Sequence, residues 1–237
     1  MSKIALVIVD HQNDYFPSYP GARWPLEGTE AAAAQAAKLL STFRQHGLPV
    51  VHVRHENLEE AAPFFKPHSE GAQIHHSVAP IDGEAVIVKR YPNSFRETDL
   101  KAILDEQQIT QIYIAGAMSH MCINAVTRAP TDLGYQCSVA HDACATLQVE
   151  FNGIVVPAVQ VHSVMMYALA FGYASVKSTD ELLVSLIETL NQENKSSSSS
   201  SAVSGLVDHS IFSNSSDSEK KTSSSDETVF EADSLTH

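Results

Sequence analysis

The chain has 237 residues, of which 43% are hydrophobic and 18% are charged, so it can bury a sizeable core. Its formal charge is −13, and −8 of this falls on residues 1–192, because residues 193–237 carry eight acidic side chains and three lysines. The negative charge of residues 1–192 argues against a nucleic-acid partner. The most apolar stretch, residues 165–171, is far shorter than the roughly 20 residues that a membrane-spanning helix needs.

Strand-like apolar runs alternate along the chain with stretches of helical periodicity. The runs predict six strands, at residues 4–9, 50–53, 85–88, 111–115, 137–140 and 174–176. Between or after them, helical spacing predicts helices over residues 32–43, 100–104, 157–171 and 182–190, and one that begins with Ser119 as its N-cap. This alternation predicts a doubly wound α/β three-layer sandwich, a mostly parallel six-stranded sheet with helices on both faces.

The C-terminal segment differs in composition from the rest of the chain. Serine occupies 16 of the 42 positions from residue 196 onward, which leaves too little apolar surface to offset the entropy of ordering. We therefore predict a folded domain over residues 1–192 and a disordered, Ser-rich acidic tail over residues 193–237. A non-catalytic protein that acts through this tail is one alternative for the function.

The N-terminus and the cysteines predict the compartment. Met1 is followed almost directly by the first strand, without the features of a signal peptide. The three cysteines, Cys122, Cys137 and Cys144, form no C-x-x-C pair and leave an odd one, as is common in a reducing compartment. We expect a cytoplasmic protein.

Three chemically useful side chains follow strands whose carboxyl ends meet at one edge of the predicted sheet, where ligands bind in such folds. Asp10 follows the first strand, Lys89 the third, and a turn with Cys122 the fourth. A thiol is a good nucleophile only as a thiolate, and positive charge or a helix N-terminus lowers its pKa. Lys89 could supply that charge and Asp10 could exchange the proton, so nucleophilic catalysis by Cys122 is one interpretation. The alternative, which the spacing alone leaves open, is that Cys122 is a core residue and Asp10 caps the end of a strand.

Three sequence blocks carry a resemblance to a known family. They are ALVIVDHQNDYF at 5–16, VIVKRYPNSF at 86–95 and IAGAMSHMCINAVTRAPTDLGYQCSVAHDACAT at 114–146. The chain resembles the isochorismatase-like cysteine hydrolases, a superfamily that includes the nicotinamidases. The SHMC and HDACAT wording is most similar to the streptothricin hydrolase subgroup.

The resemblance implies roles for individual residues. Asp10, Lys89 and Cys122 match the family's catalytic triad, and the Ala117–Met118 peptide matches a cis bond. The backbone amides of Met118 and Cys122 match an oxyanion hole. Four further side chains are candidate substrate contacts, with a hydrogen-bonded loop, core packing or a satisfied histidine as the alternatives: Gln12, Tyr15, Trp24 and His120.

Departures from the family refine the expected function. Nicotinamidases hold a metal with a D-x-H motif and a later His, whereas HVRHENLEEAAPFFKPH here lacks the Asp; we expect no metal and no cofactor. Isochorismatases lack the nucleophilic Cys, so Cys122 favours cleavage of an amide or lactam C–N bond of a small molecule through a thioester. Isochorismatase activity, a vinyl-ether hydrolysis that yields a dihydroxybenzoate and pyruvate, is the other enzymatic alternative. The resemblance also implies a homo-oligomer, for which helices 30–40 and 157–171 offer surfaces.

Overall fold

A parallel six-stranded sheet forms the centre of the molecule. The structure is a computed structural model that describes the backbone of residues 3–203 and the side chains of residues 3–195. The strands of this sheet are β1 (Ile4–Val9), β2 (Val50–His55), β3 (Ala85–Lys89), β4 (Gln111–Ala117), β5 (Gln136–Ala145) and β8 (Ser175–Lys177). Their order is β3-β2-β1-β4-β5-β8, and every neighbouring pair is parallel.

Helices cover both faces of the sheet because the buried strands are apolar on both sides. Ile4, Leu6 and Ile8 of β1 pack with α1 (Thr29–Gln45) and α5 (Thr179–Val203). The alternate residues of β1, from Ala5 to Val9, pack with α2 (Leu100–Glu106), α3 (Asn124–Asp132) and α4 (Ala158–Gly172). The predicted three-layer α/β fold with six strands is confirmed.

Two elements differ from the prediction. An antiparallel hairpin of β6 (Val149–Phe151) and β7 (Ile154–Val156) joins β5 to α4 and was not predicted. The expectation that Ser119 caps a helix is wrong: Ser119–Ile123 is a π-helical turn, and α3 begins only at Asn124. The hydroxyl of Ser119 instead lies 2.8 Å from Nδ1 of His162, which removes it from capping.

The predicted domain boundary falls within the last helix. Since α5 extends from Thr179 to Val203, the backbone is helical across residue 193, and residues 204–237 lie outside the described residues. The division into a domain and a disordered tail stays a prediction. Over the stretch that the structure describes, every helix is too short or too polar to cross a membrane.

Candidate active site

The carboxyl ends of β1, β3 and β4 bring the three predicted catalytic residues together. Asp10 follows β1 with a left-handed backbone (φ 55°), and Lys89 is the last residue of β3. Gly116 allows β4 to approach β1 closely, because a Cβ at this residue would lie 1.9 Å from the carbonyl oxygen of Val9. The turn that follows β4 then places Cys122 beside Asp10 and Lys89.

The ammonium of Lys89 is the centre of the site. Its Nζ lies 2.8 Å from Oδ2 of Asp10 and 3.1 Å from Sγ of Cys122. A third neighbour, Nδ1 of His55 at the end of β2, lies 3.0 Å away. Asp10 and Lys89 are completely buried and Cys122 is 6% exposed, so these contacts are formed almost without water.

Burial and charge set the protonation of these groups. Burial alone would lower the pKa of Lys89, but the charge of the Asp10 carboxylate and the hydrogen bond to the Cys122 sulfur raise it, so the amine stays an ammonium. Burial and the Asp10 carboxylate raise the pKa of Cys122 to about 12, although Lys89 opposes this. The expectation of a lowered thiol pKa is therefore wrong. The resting group is a thiol, and it lies within 4.8 Å of a carboxylate oxygen of Asp10 that can act as its base.

The turn after β4 presents backbone amides beside the thiol. The Ala117–Met118 peptide is cis, as the resemblance implied. The carbonyl of Met118 accepts hydrogen bonds from the amides of Met121 and Ile123, which closes the π-helical turn around Cys122. The oxyanion hole that the resemblance implies, formed by the amides of Met118 and Cys122, stays a prediction.

The side-chain amide of Gln12 forms hydrogen bonds with backbone groups next to the site. Its Nε2 donates to the carbonyls of His55 and Ala72, each at 2.8 Å, and its Oε1 accepts from the amide of His55 at 2.7 Å. The side chain is completely buried. In this structure Gln12 holds the backbone of His55, and its predicted contact with substrate stays a prediction.

Aromatic rings form one wall near the site. Tyr15 packs on Phe65 with ring centroids 4.5 Å apart, and Trp24 packs on Phe64 at 5.0 Å. The ring centroids of Phe65 and His55 lie 6.2 Å apart, so this aromatic cluster adjoins the catalytic residues. Burial raises the pKa of Tyr15 well above its usual value. The side chain of Tyr15 is 2% exposed, and the predicted substrate contacts of Tyr15 and Trp24 stay predictions.

A buried carboxylate holds this wall in place. Oδ2 of Asp14 accepts from the amide of Phe65 at 2.7 Å, and the carbonyl of Asp14 accepts from the amide of Trp24 at 2.9 Å. Phe65 has a left-handed backbone (φ 55°), which this hydrogen bond supports.

The two histidines near the turn have partners within the protein. Nδ1 of His120 lies 2.6 Å from Oγ1 of Thr146, and burial lowers the pKa of His120. His162 pairs with Ser119 from α4. His120 is half-buried at the start of the turn, so its predicted substrate contact stays a prediction.

Three side chains of the types that bind metals surround the ammonium group of Lys89. Ligand atoms of Asp10, His55 and Cys122 lie within 4.8 Å of one another. The Lys89 ammonium contacts all three and occupies the position between them. This ammonium supplies the positive charge in the arrangement that the structure describes.

Two cavities help to define the surroundings. One of about 260 Å³ lies beside the turn and is lined by Thr146 and His162, the partners of His120 and Ser119. Another, of about 720 Å³, is lined by residues such as Gly47, Pro49 and Gln108, where β2 and β4 begin. The candidate catalytic residues line neither of these two cavities.

Comparison with known proteins identifies the family. The isochorismatase domain model matches residues 4–156, which include all three candidate catalytic residues. The chain belongs to the isochorismatase family. Isochorismatase family protein YddQ of Bacillus subtilis is 47% identical over 179 residues, which cover 76% of this chain and 98% of YddQ.

Solved structures and named enzymes agree with this membership. A crystal structure of an isochorismatase hydrolase from Oleispira antarctica is 64% identical, with a TM-score of 0.74, and the match covers 76% of this chain and 96% of that one. Streptothricin hydrolase of Streptomyces noursei is 31% identical over 61% of this chain and 50% of the enzyme. Maleamate amidohydrolase of Pseudomonas putida is 32% identical over 59% of this chain and 71% of the enzyme. The chain is thus an isochorismatase-family hydrolase, from a family that includes amidohydrolases.

His55 is the site residue that sequence reasoning missed. The second strand was predicted to end at Val53, whereas β2 continues to His55, which pairs with Lys89 in the ladder. A usable signal was present: His55 follows an apolar run at the carboxyl edge of the sheet, as Asp10 and Lys89 do.

Proposed function

We propose that this isochorismatase-family hydrolase cleaves an amide or lactam C–N bond of a small molecule through a thioester on Cys122. The observation that carries the proposal is the Lys89 ammonium, which contacts the Asp10 carboxylate at 2.8 Å and the Cys122 sulfur at 3.1 Å in a buried site. A base, a cation and a thiol in mutual contact are the groups that nucleophilic acyl transfer requires.

The first half-reaction uses Asp10 as the base. Because the thiol pKa is raised to about 12, the thiolate forms only as Asp10 removes the proton, and the Lys89 ammonium stabilises it. The sulfur then forms a bond to the substrate carbonyl carbon, and the carbonyl oxygen becomes an oxyanion near the amides of Met118 and Cys122. As the C–N bond breaks, Asp10 returns its proton to the departing nitrogen, and the acyl group remains on Cys122 as a thioester.

Water completes the cycle. Asp10 removes a proton from a water molecule, whose oxygen attacks the thioester carbon. The C–S bond breaks, the carboxylic acid leaves, and the sulfur regains the proton from Asp10. Lys89 remains an ammonium throughout, because it stabilises the carboxylate and the thiolate in turn.

Two relatives support the C–N bond as the target. Maleamate amidohydrolase is named for amide hydrolysis, and streptothricin hydrolase is named for hydrolysis of streptothricin. A vinyl-ether hydrolysis would leave the thiol of Cys122 without a role, although this thiol contacts Lys89. We further propose that Tyr15 and Trp24 contact the substrate.

A panel of small primary amides and lactams, with isochorismate as a separate arm, tests the proposal. Cys122→Ala should abolish ammonia or amine release, while Cys137→Ala, which removes another buried cysteine from β5, should retain it. Circular dichroism should show that both variants fold. Amide turnover by Cys122→Ala, or pyruvate release from isochorismate without any amide turnover by the wild type, would overturn the proposal.

A further inference from the structure

The Lys89 ammonium has one more neighbour than the proposed chemistry uses. An ammonium carries three N–H donors, and three acceptors surround this one. The sulfur of Cys122, at 3.1 Å, and Nδ1 of His55, at 3.0 Å, accept hydrogen bonds from the ammonium, and Oδ2 of Asp10 forms an ion pair with it at 2.8 Å. Because the N–H donors of an ammonium are held in a tetrahedral arrangement, the acceptor at His55 restricts how the ammonium is turned toward the carboxylate and the sulfur.

His55 is itself held firmly. Its backbone amide and carbonyl both bond to the side chain of Gln12, at 2.7 and 2.8 Å. His55 is also the ladder partner of Lys89, so the two side chains leave neighbouring strands on the same face of the sheet. Because the backbone of His55 is held in place, its imidazole can hold the Lys89 ammonium in a defined orientation.

The contact requires a neutral imidazole. An ammonium has no lone pair, so Nδ1 must accept, and the ring proton lies on Nε2. Burial and the Lys89 charge lower the pKa of His55, while Asp10 opposes them. Three groups face the ring from the packed elements: Lys89, Asp10 and Cys122. Protonation would place two cations 3.0 Å apart and break the contact with Lys89.

We propose that His55 is a positioning residue of the catalytic centre: by accepting an N–H of Lys89, it fixes the ammonium between the Asp10 carboxylate and the Cys122 sulfur. The inference rests on the proposed function for its consequence, since a misdirected ammonium stabilises the nascent thiolate less. His55 forms no bond to the substrate in this account and acts only through Lys89.

Two variants separate this role from a merely structural one. His55→Asn keeps an acceptor, because the Asn amide oxygen can reach the position of Nδ1, whereas His55→Ala removes it. The probe is carbamidomethylation of Cys122 by iodoacetamide at pH 7.5, followed by peptide mass spectrometry. His55→Ala should slow this reaction by about tenfold to a hundredfold, and His55→Asn should recover most of the rate. His46→Asn, at an exposed histidine, is the matched control and should react like the wild type.

The pH dependence of the rate at which Cys122 reacts with iodoacetamide is a second test of the role of His55. Because the pKa of His55 is lowered from its ordinary value, its protonation should slow the wild type, but not His55→Asn, only well below about pH 6.5, so the ratio of the variant rate to the wild-type rate should rise in that acidic range. NMR titration of ¹⁵N-labelled imidazoles reads the contact directly. Lys89→Met should raise the pKa of His55, because the ammonium that disfavours the imidazolium is gone.

The outcomes distinguish this inference from the proposed function. A wild-type rate in His55→Ala, an absence of rescue by Asn, or a flat rate ratio would overturn the positioning role. If wild-type Cys122 neither reacts nor turns over any amide, the proposed function fails. The NMR arm still decides the contact: a raised His55 pKa in Lys89→Met supports it, and an unchanged pKa overturns it.

Discussion

A completely buried histidine makes the stability of the protein depend on pH. His11 is 1% exposed, and among the described residues neither ring nitrogen has a hydrogen bond of good geometry, although the Ala143 backbone lies close to the ring. Burial lowers its pKa from 6.5 to about 4, with partial opposition from the Ala143 backbone and the Asp10 carboxylate. The unfolded chain therefore binds a proton on this ring at a pH where the folded protein does not.

The size of the effect follows from the shift. Each pKa unit corresponds to about 1.4 kcal/mol, so a fall from 6.5 to about 4 makes the full contribution of His11 about 3 kcal/mol. Because the folded pKa is the lower one, this stability is present above pH 6.5 and is lost as the pH falls toward 4. Between pH 7 and pH 5 the loss is about 2 kcal/mol.

Urea unfolding of His11→Leu at the two pH values isolates this contribution. Leu has a similar volume and does not titrate, so the variant should lose about 2 kcal/mol less than the wild type between pH 7 and pH 5. The wild type itself should lose more than His11 alone explains, because burial also lowers the pKa of other histidines: His52, His55, His75, His120 and His162.

The control variant is His46→Asn, whose ring lies in solvent. It should show the same pH dependence as the wild type. If His11→Leu also loses stability in parallel with the wild type from pH 7 to pH 5, the buried neutral state assigned to His11 is refuted.

Two further predictions concern packing and assembly. Gly71→Ala should lower the free energy of unfolding in urea by about 2 kcal/mol or more, because the new Cβ would lie 2.2 Å from Oδ1 of Asp14. The control Gly172→Ala should leave the stability unchanged, because no atom lies within 4 Å of the added Cβ. Equal stability of the two variants would contradict this prediction. A second copy of the chain should cover the surface formed by β6, β7 and α4. Three large aromatic side chains are exposed there, Phe151 at 76%, Tyr167 at 70% and Phe171 at 82%. The helix α4 also contains no Asp, Glu, Lys or Arg. Light scattering should give an oligomer for the wild type and for Val184→Glu but a monomer for Phe171→Glu, and a monomeric wild type would contradict the prediction.

The sheet could be predicted because each of its strands is marked by a short apolar run in the local sequence. The β-branched run of residues 4–9 ends abruptly at Asp10, and the other five runs end in the same way at turns or polar residues. In a parallel sheet all carboxyl ends meet at one edge, so the convergence of Asp10, Lys89 and Cys122 followed from topology alone.

The details of the site could not be predicted because they depend on register and burial. Which residue of β2 lies beside Lys89 is set by the pairing of two strands, so His55 was missed. The role of Gln12 depends on carbonyls at His55 and Ala72, distant in sequence. The thiol pKa was expected to fall because Lys89 is near, but burial and Asp10 outweigh that charge. Charges can be read from a sequence, whereas desolvation depends on the packed structure.

Trapping the covalent intermediate would test nucleophilic catalysis by Cys122 most directly. Wild-type protein is mixed with an amide that it turns over, quenched in acid within the first turnovers, digested and mapped by mass spectrometry. The acyl mass of the substrate should appear on the peptide that contains Cys122, and on neither Cys137 nor Cys144. Rapid turnover with all three cysteines unmodified, together with full activity in Cys122→Ala, would contradict it.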